Sequence, residues 1–225
     1  MRFSPLRLSC LCLCLAAIVV GLPSTAQAGV RPGVEVGLNL SSLSYVDDSS
    51  FLFSFWDRRW RTSLSGGTSL QLPLRGRFNL VMGMRYVQQG NRVRYDTGPG
   101  AFRQVGEFRV VQNYLSFPVL VSWRPLPSKR VFLSLGPEVA FLLSGRLIVE
   151  ESIPGDRTEY RDIEDDLEPV NLSLDAGVGF EFPVEHHVAI VGLRYSHGLT
   201  GVADEDDWIS NWKTRGVEGL LGMRW

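Results

Sequence analysis

Residues 170–182 read VNLSLDAGVGFEF. Val170, Leu172, Leu174, Ala176, Val178, Phe180 and Phe182 are apolar, and every residue between them is polar or glycine. Successive side chains of a strand point to opposite faces, so a strand sorts this stretch into two chemistries while a helix scatters it. The apolar face is roughly 40 Å long at ~3.3 Å per residue, longer than most strands of globular domains. Its other face carries isolated charges among glycines and small polar groups. Such a segment suits a transmembrane β-strand with lipid on one side and a narrow polar lumen on the other.

The chain opens with a different signal. Arg2 and Arg7 precede an apolar run over residues 8–22, and Ala26-Gln27-Ala28 places small residues where a signal peptidase reads them. Residues 1–28 are therefore expected to be a secretory signal peptide, with residues 29–225 forming one outer-membrane barrel domain. Cys10, Cys12 and Cys14 all lie in the leader, so neither a disulfide framework nor a cysteine metal site is expected in the mature chain. The leader has two arginines and no acid, which takes the net charge from −1 to −3 on cleavage and gives no footprint for nucleic acid. Only Lys129 and Lys213 are lysine, an unusual scarcity for a barrel that must keep a polar surface in water.

The same alternation recurs along the chain. Val34, Val36, Leu38 and Leu40 open it, followed by Thr68 to Leu74 and then Leu80 to Tyr86. Further on come Leu115 to Trp123, Val131 to Leu143, Ala189 to Tyr195 and Val217 to Trp225. The intervening connections, residues 41–61, 75–77, 90–107, 124–130, 146–168, 183–187 and 198–213, run long, short, long, short, long, short, long. Membrane barrels have long external loops and short periplasmic turns, with both termini periplasmic. The expectation is an all-β, eight-stranded antiparallel transmembrane barrel in up-and-down order. The first long connection reads as irregular, the third as a strongly acidic loop, and the second allows strand extensions beyond the membrane. Alternation alone leaves open which face is inside; a soluble ligand-binding barrel is the inverse arrangement.

Residues 113–125 (NYLSFPVLVSWRP), 136–145 (GPEVAFLLSG) and 193–202 (LRYSHGLTGV) resemble the PorT-like family of outer-membrane β-barrels. The resemblance spans essentially the whole mature chain and implies a barrel in the bacterial outer membrane. Barrels of this kind usually end in an aromatic recognised by the barrel-assembly machinery, a role that falls here to Trp225. No catalytic motif comes with the resemblance, and no secretion role is carried over from the family's namesake.

The strand parity assigns Glu35, Arg85, Glu138, Asp175, Arg194, Glu218 and Arg224 to the lumen. Opposite charges confined there are expected to pair, because unpaired burial costs several kcal/mol. A polar plug is the favoured reading of this set over a gate or proton path. Trp56, Trp60, Tyr86, Trp123, Tyr195, Trp208 and Trp212 are the expected interfacial aromatics. Acidic runs at 164–166 and 204–207 lack the spaced pattern of a calcium loop. Ser196 and His197 are strand neighbours that must face opposite sides. Neither cofactor nor metal nor catalytic set is expected. The expected partners are the lipid bilayer, the assembly machinery and an envelope protein of unidentified kind. The function that follows is a non-enzymatic barrel acting through its loops, with a small passive channel, and then a lipid-modifying hydrolase, as alternatives. Replacing Trp225 with Asp should lower the amount of assembled barrel in the membrane more than the amount synthesised, as read by heat-modifiable migration on gels; an unchanged folded yield would contradict the terminal signal.

Overall fold

The computed structural model describes residues 29–45, 56–97, 104–126, 130–151, 158–163, 167–201 and 212–225. The leader thus lies outside the described residues. The strands are β1 (Arg31–Tyr45), β2 (Trp56–Arg59), β3 (Arg61–Pro73), β4 (Phe78–Thr97), β5 (Gln104–Trp123), β6 (Val131–Glu151), β7 (Thr158–Asp162), β8 (Val170–Val184), β9 (His187–Gly198) and β10 (Trp212–Arg224). Eight of them, all but β2 and β7, pair antiparallel in chain order, and β1 pairs β10 to close the barrel. At the seam Val34 lies opposite Met223 on one side and Thr68 on the other. The backbone N–H of Trp225 continues the seam, donating to the Pro32 carbonyl at 3.0 Å.

Burial decides which face is inside. Along β8 the alternation is kept from Val170 to Ala176, with the odd positions buried. Leu64 is 67 % exposed and Leu38 59 %, whereas Asp175 and Ser116 are fully buried. Large apolar side chains cover the outer wall on every barrel strand. A soluble monomer rarely exposes an apolar patch beyond a few hundred Å², so this surface meets lipid, and the inverse, soluble arrangement is excluded. Phe78 and Trp123 stack on the wall at the end carrying the short turns, 6.4 Å between ring centroids.

The opposite end departs from a plain barrel. Strands β4, β5 and β6 run 20, 20 and 21 residues, against 12 to 15 for the other barrel strands. Their outer halves stand above the rim. There β2 pairs β4 (Arg59 opposite Arg92) and β7 pairs β6 (Arg146 opposite Asp162). The first and third long connections, expected as an irregular stretch and an acidic loop, therefore each contain a paired strand. Short polar segments such as WDRR and TEYRD show little alternation of their own, and they become strands because a raised edge offers unpaired backbone groups.

Two local devices shape this end. Leu142 lies opposite Tyr114 and Ser144 opposite Asn113, so Leu143 is a bulge residue instead of a member of the lipid-facing row. The bulge shifts parity and turns Leu147 inward with Leu142, where both pack on Leu43, Val110, Ile163 and Leu167. Across the mouth, β4 leans over the inner side chains of β1 and β3. The Ser63 hydroxyl and the Asn39 amide donate to the Gln88 carbonyl, and the Ser41 hydroxyl bonds both the N–H and the carbonyl of Gly90. Gly90 has φ +149°, and an added Cβ would lie 2.0 Å from the Val110 carbonyl oxygen. Gly90→Ala should destabilise the barrel by about 1–3 kcal/mol, measured as a lower urea midpoint in lipid vesicles.

Candidate functional site: a charged bore

The barrel strands bring their polar faces into one bore, and glycines opposite the long side chains make the room. Gly37 is the clearest case, since a Cβ there would meet the Glu218 carboxylate at 2.5 Å. Every lumen residue expected from strand parity is buried. Glu218 and Arg194 are direct cross-strand partners of β10 and β9, while Arg85, Glu138 and Glu35 reach in from β4, β6 and β1.

These groups form a chain of alternating sign. Arg85 joins Glu138 (Nη2 to Oε2, 3.3 Å) to Glu218 (Nη1 to Oε2, 2.7 Å). Arg194 joins the same Glu218 oxygen at 3.4 Å to Glu35 Oε2 at 3.1 Å. Arg224 carries the chain from Glu35 Oε1 at 3.5 Å to Glu181 Oε1 at 3.3 Å, and Arg124 ends it on Glu181 Oε2 at 2.7 Å. Neutral donors and acceptors take up remaining capacity. The Ser65 hydroxyl donates to Glu218 Oε1, and Arg224 Nη1 donates to Gln71 Oε1 at 2.9 Å. Guanidinium suits this work because its planar donors serve two carboxylates at once.

Asp175 stands at the head of the chain with no arginine in ion-pair contact among those described. Its Oδ2 is buried without a hydrogen bond, and so is Glu138 Oε2, whose 3.3 Å approach to Arg85 is a charge contact outside hydrogen-bond geometry. The bore thus has one more carboxylate than guanidinium, and the excess sits at the Glu138–Asp175 end.

Strand parity found the charged set but undervalued two parts of the interior. Glu181 and Arg124 extend the chain to the turn end, and Arg124 was hidden because it belongs to a turn. Phe132, Ile190 and Leu220 form an apolar cluster inside the bore, and Tyr114 is 1 % exposed. Beside the cluster lies a cavity of ≈ 20 Å³ lined by Glu35, Arg194, Arg224, Leu120 and Leu220, about enough for one water.

Other expected residues fall as follows. Trp123 and Tyr195 are exposed on the outer wall and Trp60 is exposed at the start of β3. Tyr86 is half-buried on the outer face, its hydroxyl donating to Asn113 Oδ1 at 2.8 Å. Trp56 and Trp212 have backbones in β2 and β10, but their side chains, and all of Trp208, lie outside the described residues. Trp225 is half-buried at the barrel seam. Ser196 is the cross-strand neighbour of Asp175, while His197 stacks on Tyr195 of the outer wall. Their strand parities separate them, and they form no catalytic pair. Among the described residues no three His, Cys, Asp or Glu side chains converge as a metal site.

A closed barrel with an apolar wall and a charged, filled bore defines an outer-membrane β-barrel protein. The outer membrane protein beta-barrel domain family matches residues 25–204, and the chain belongs to that family. Among solved structures it is similar to Neisserial surface protein A at 14 % identity, covering 88 % of this chain and 98 % of that one, with a TM-score of 0.41. Ail of Yersinia pestis is 13 % identical, covering 88 % and 100 %, with a TM-score of 0.41. OprG of Pseudomonas aeruginosa is 8 % identical, covering 88 % and 95 %, with a TM-score of 0.43. No curated protein matches the sequence.

The charge chain separates two substitutions that look alike on paper. Glu218→Ala removes the carboxylate shared by Arg85 and Arg194 and should cost about 3–5 kcal/mol, as buried ion pairs do when one partner is lost. Asp175→Asn removes the excess charge and should be neutral or stabilising by up to about 1 kcal/mol. Urea unfolding of both variants in lipid vesicles measures the contrast.

Proposed function

We propose that the protein is a non-enzymatic outer-membrane barrel with an occluded lumen, serving as a structural, assembly or surface-binding component through the raised sheet and loops. The observation carrying this reading is the continuous arginine–carboxylate chain from Glu138 to Arg124, which spends the bore's polar capacity on itself. An eight-stranded barrel has an interior just wide enough for side chains to fill. The apolar packing of Leu43, Val110, Ile163 and Leu167 at the loop end supports the same reading. So does the placement of Ser196 and His197 on opposite sides of β9, which favours a non-enzymatic role over a hydrolase.

The termini and short turns belong on the periplasmic side in this reading, and the raised sheet outside. The leader exports the chain, and Trp225 presents the assembly signal at the strand that must pair with β1. The closer grouping with PorT-like barrels, drawn from residues 113–125, 136–145 and 193–202, belongs to the same proposal. Purified protein in a planar bilayer should show no stable conductance, and Arg85→Ala should leak more than the native chain. Regular, single-sized openings of the native protein would favour the channel.

A further inference from the structure

The barrel end opposite the raised sheet gathers charge of one sign on its short turns. Arg31 starts β1 beside β3, opposite Gln71. Arg75 and Arg77 flank Gly76 between β3 and β4, and Arg124 and Arg130 bound the connection between β5 and β6. Gly76 has φ +71°, a left-handed conformation that lets so short a turn close. The Leu74 N–H donates to the Phe78 carbonyl across it at 2.9 Å. The two turns are tied to each other. Arg77 Nη1 donates to the Pro125 carbonyl at 2.8 Å, and the Arg124 N–H donates to the Arg77 carbonyl at 3.1 Å. Because β1, β3, β4, β5 and β6 are successive neighbours in the sheet, these arginines form a half-collar on one side of the barrel.

No acid lies within the half-collar. Residues 29–32, 73–78 and 123–130 hold neither Asp nor Glu, and Lys129 adds a further cation to the sequence, its placement lying outside the described residues. The acids at this end are Glu181, Glu185 and the carboxylate of Trp225. Glu181 is already held between Arg124 and Arg224. Glu185 sits on the far turn between β8 and β9, beside exposed His186 and His187. Arg31, Arg75, Arg77 and Arg130 are exposed, and among the described residues none of them has an ion-pair partner. The turn end is net basic.

Height tells what these guanidiniums meet. The stacked pair Phe78 and Trp123 closes the apolar wall at this end, and Leu74 and Leu126 beside it are 49 % and 44 % exposed. Arg77 precedes Phe78 and Arg124 follows Trp123, so the arginines begin one residue past the aromatic pair, ~3.3 Å along the chain. Interfacial aromatics sit at the level of lipid headgroups. An arginine there lays its stem on apolar surface and keeps its charge in the polar layer. Its planar fork takes two phosphate oxygens at once.

We propose that the Arg75–Arg77–Arg130 half-collar, flanked by Arg31, binds the phosphates of anionic phospholipid headgroups at the turn end. In the orientation given under the proposed function these belong to the periplasmic leaflet, although the binding itself is independent of that orientation. The acidic runs at 164–166 and 204–207 belong to connections at the other end. Anionic headgroups thus attract one end of the barrel and repel the other, and a bilayer can read that polarity.

The test uses the full folded barrel in neutral detergent, titrated with phosphatidylglycerol and with zwitterionic phosphatidylcholine of the same acyl chains, binding read by native mass spectrometry. Phosphatidylglycerol should bind about tenfold more tightly, as several arginines at an anionic surface give, and the preference should shrink as salt screens them. The variant Arg75→Gln/Arg130→Gln should lose most of that preference. Arg215→Gln, exposed on the outer face at the loop end, should keep it. If the double variant fails to assemble, Arg75→Gln alone should weaken phosphatidylglycerol binding severalfold. Equal binding of the two lipids, an unchanged double or Arg75→Gln variant, or an equal loss in Arg215→Gln would overturn the proposal. Glycerol phosphate that displaces phosphatidylglycerol at equal concentration would overturn the lipid source. Bilayer conductance of the double variant should remain that of the native chain, so failure here is distinct from failure of the occluded-barrel reading.

Discussion

Inside a bilayer no water satisfies a backbone N–H or C=O, so every such group must find a partner within the protein. For a chain of strands, that condition is met only by closing the sheet. Here the closing ladder is β1 on β10, running from Gly33 opposite Arg224 to Tyr45 opposite Trp212. Closure explains why the last strand must be found and paired before the barrel is stable. It also explains the placement of special residues. Pro118 of β5 interrupts its ladder with β4, and Gly83 across from it takes the approach of the ring, 3.2 Å from a would-be Cβ.

Closing the sheet with the apolar face outward leaves the polar face no solvent beyond what the bore admits. Charges there lack bulk hydration, and an isolated one is expensive. The answer is an alternating series in which Glu218, Glu35 and Glu181 each meet two arginines. Such pairs are weak evidence for net stability, because desolvation offsets much of the attraction. Their use is geometric. Arg85, Arg194 and Arg224 each link carboxylates from different strands across the bore, so the network fixes which residues share the interior. Asp175, left outside the series, is the position at which that logic is incomplete.

The loop end obeys a different constraint. Beyond the hydrocarbon, water can satisfy the backbone, and strands are free to stop; β1, β3, β9 and β10 do so. Strands β4, β5 and β6 continue because they bury Val93, Val110 and Leu147 on one side and gain β2 and β7 at the edges. The bulge at Leu143 is what lets β6 serve both regimes, with Phe141 toward lipid below it and Leu147 toward the interior above.

Much of this was written in the order of residues. Alternation over residues 170–182 determined a strand and its two faces, and the run of long and short connections determined the number and direction of the barrel strands. Parity along each strand placed Glu35, Arg85, Glu138, Asp175, Arg194, Glu218 and Arg224 in one bore, since side-chain direction in a strand is a local property. Which arginine holds which carboxylate was decided by tertiary structure, because barrel stagger sets the height at which distant strands meet: Arg194 reaches Glu35 across 159 positions of chain. Strand character at β2 and β7, the parity change at Leu143 and the inward lean of β4 at Gly90 were likewise invisible in sequence. Each depends on what a neighbouring strand offers, and a single strand's pattern holds no record of its neighbours.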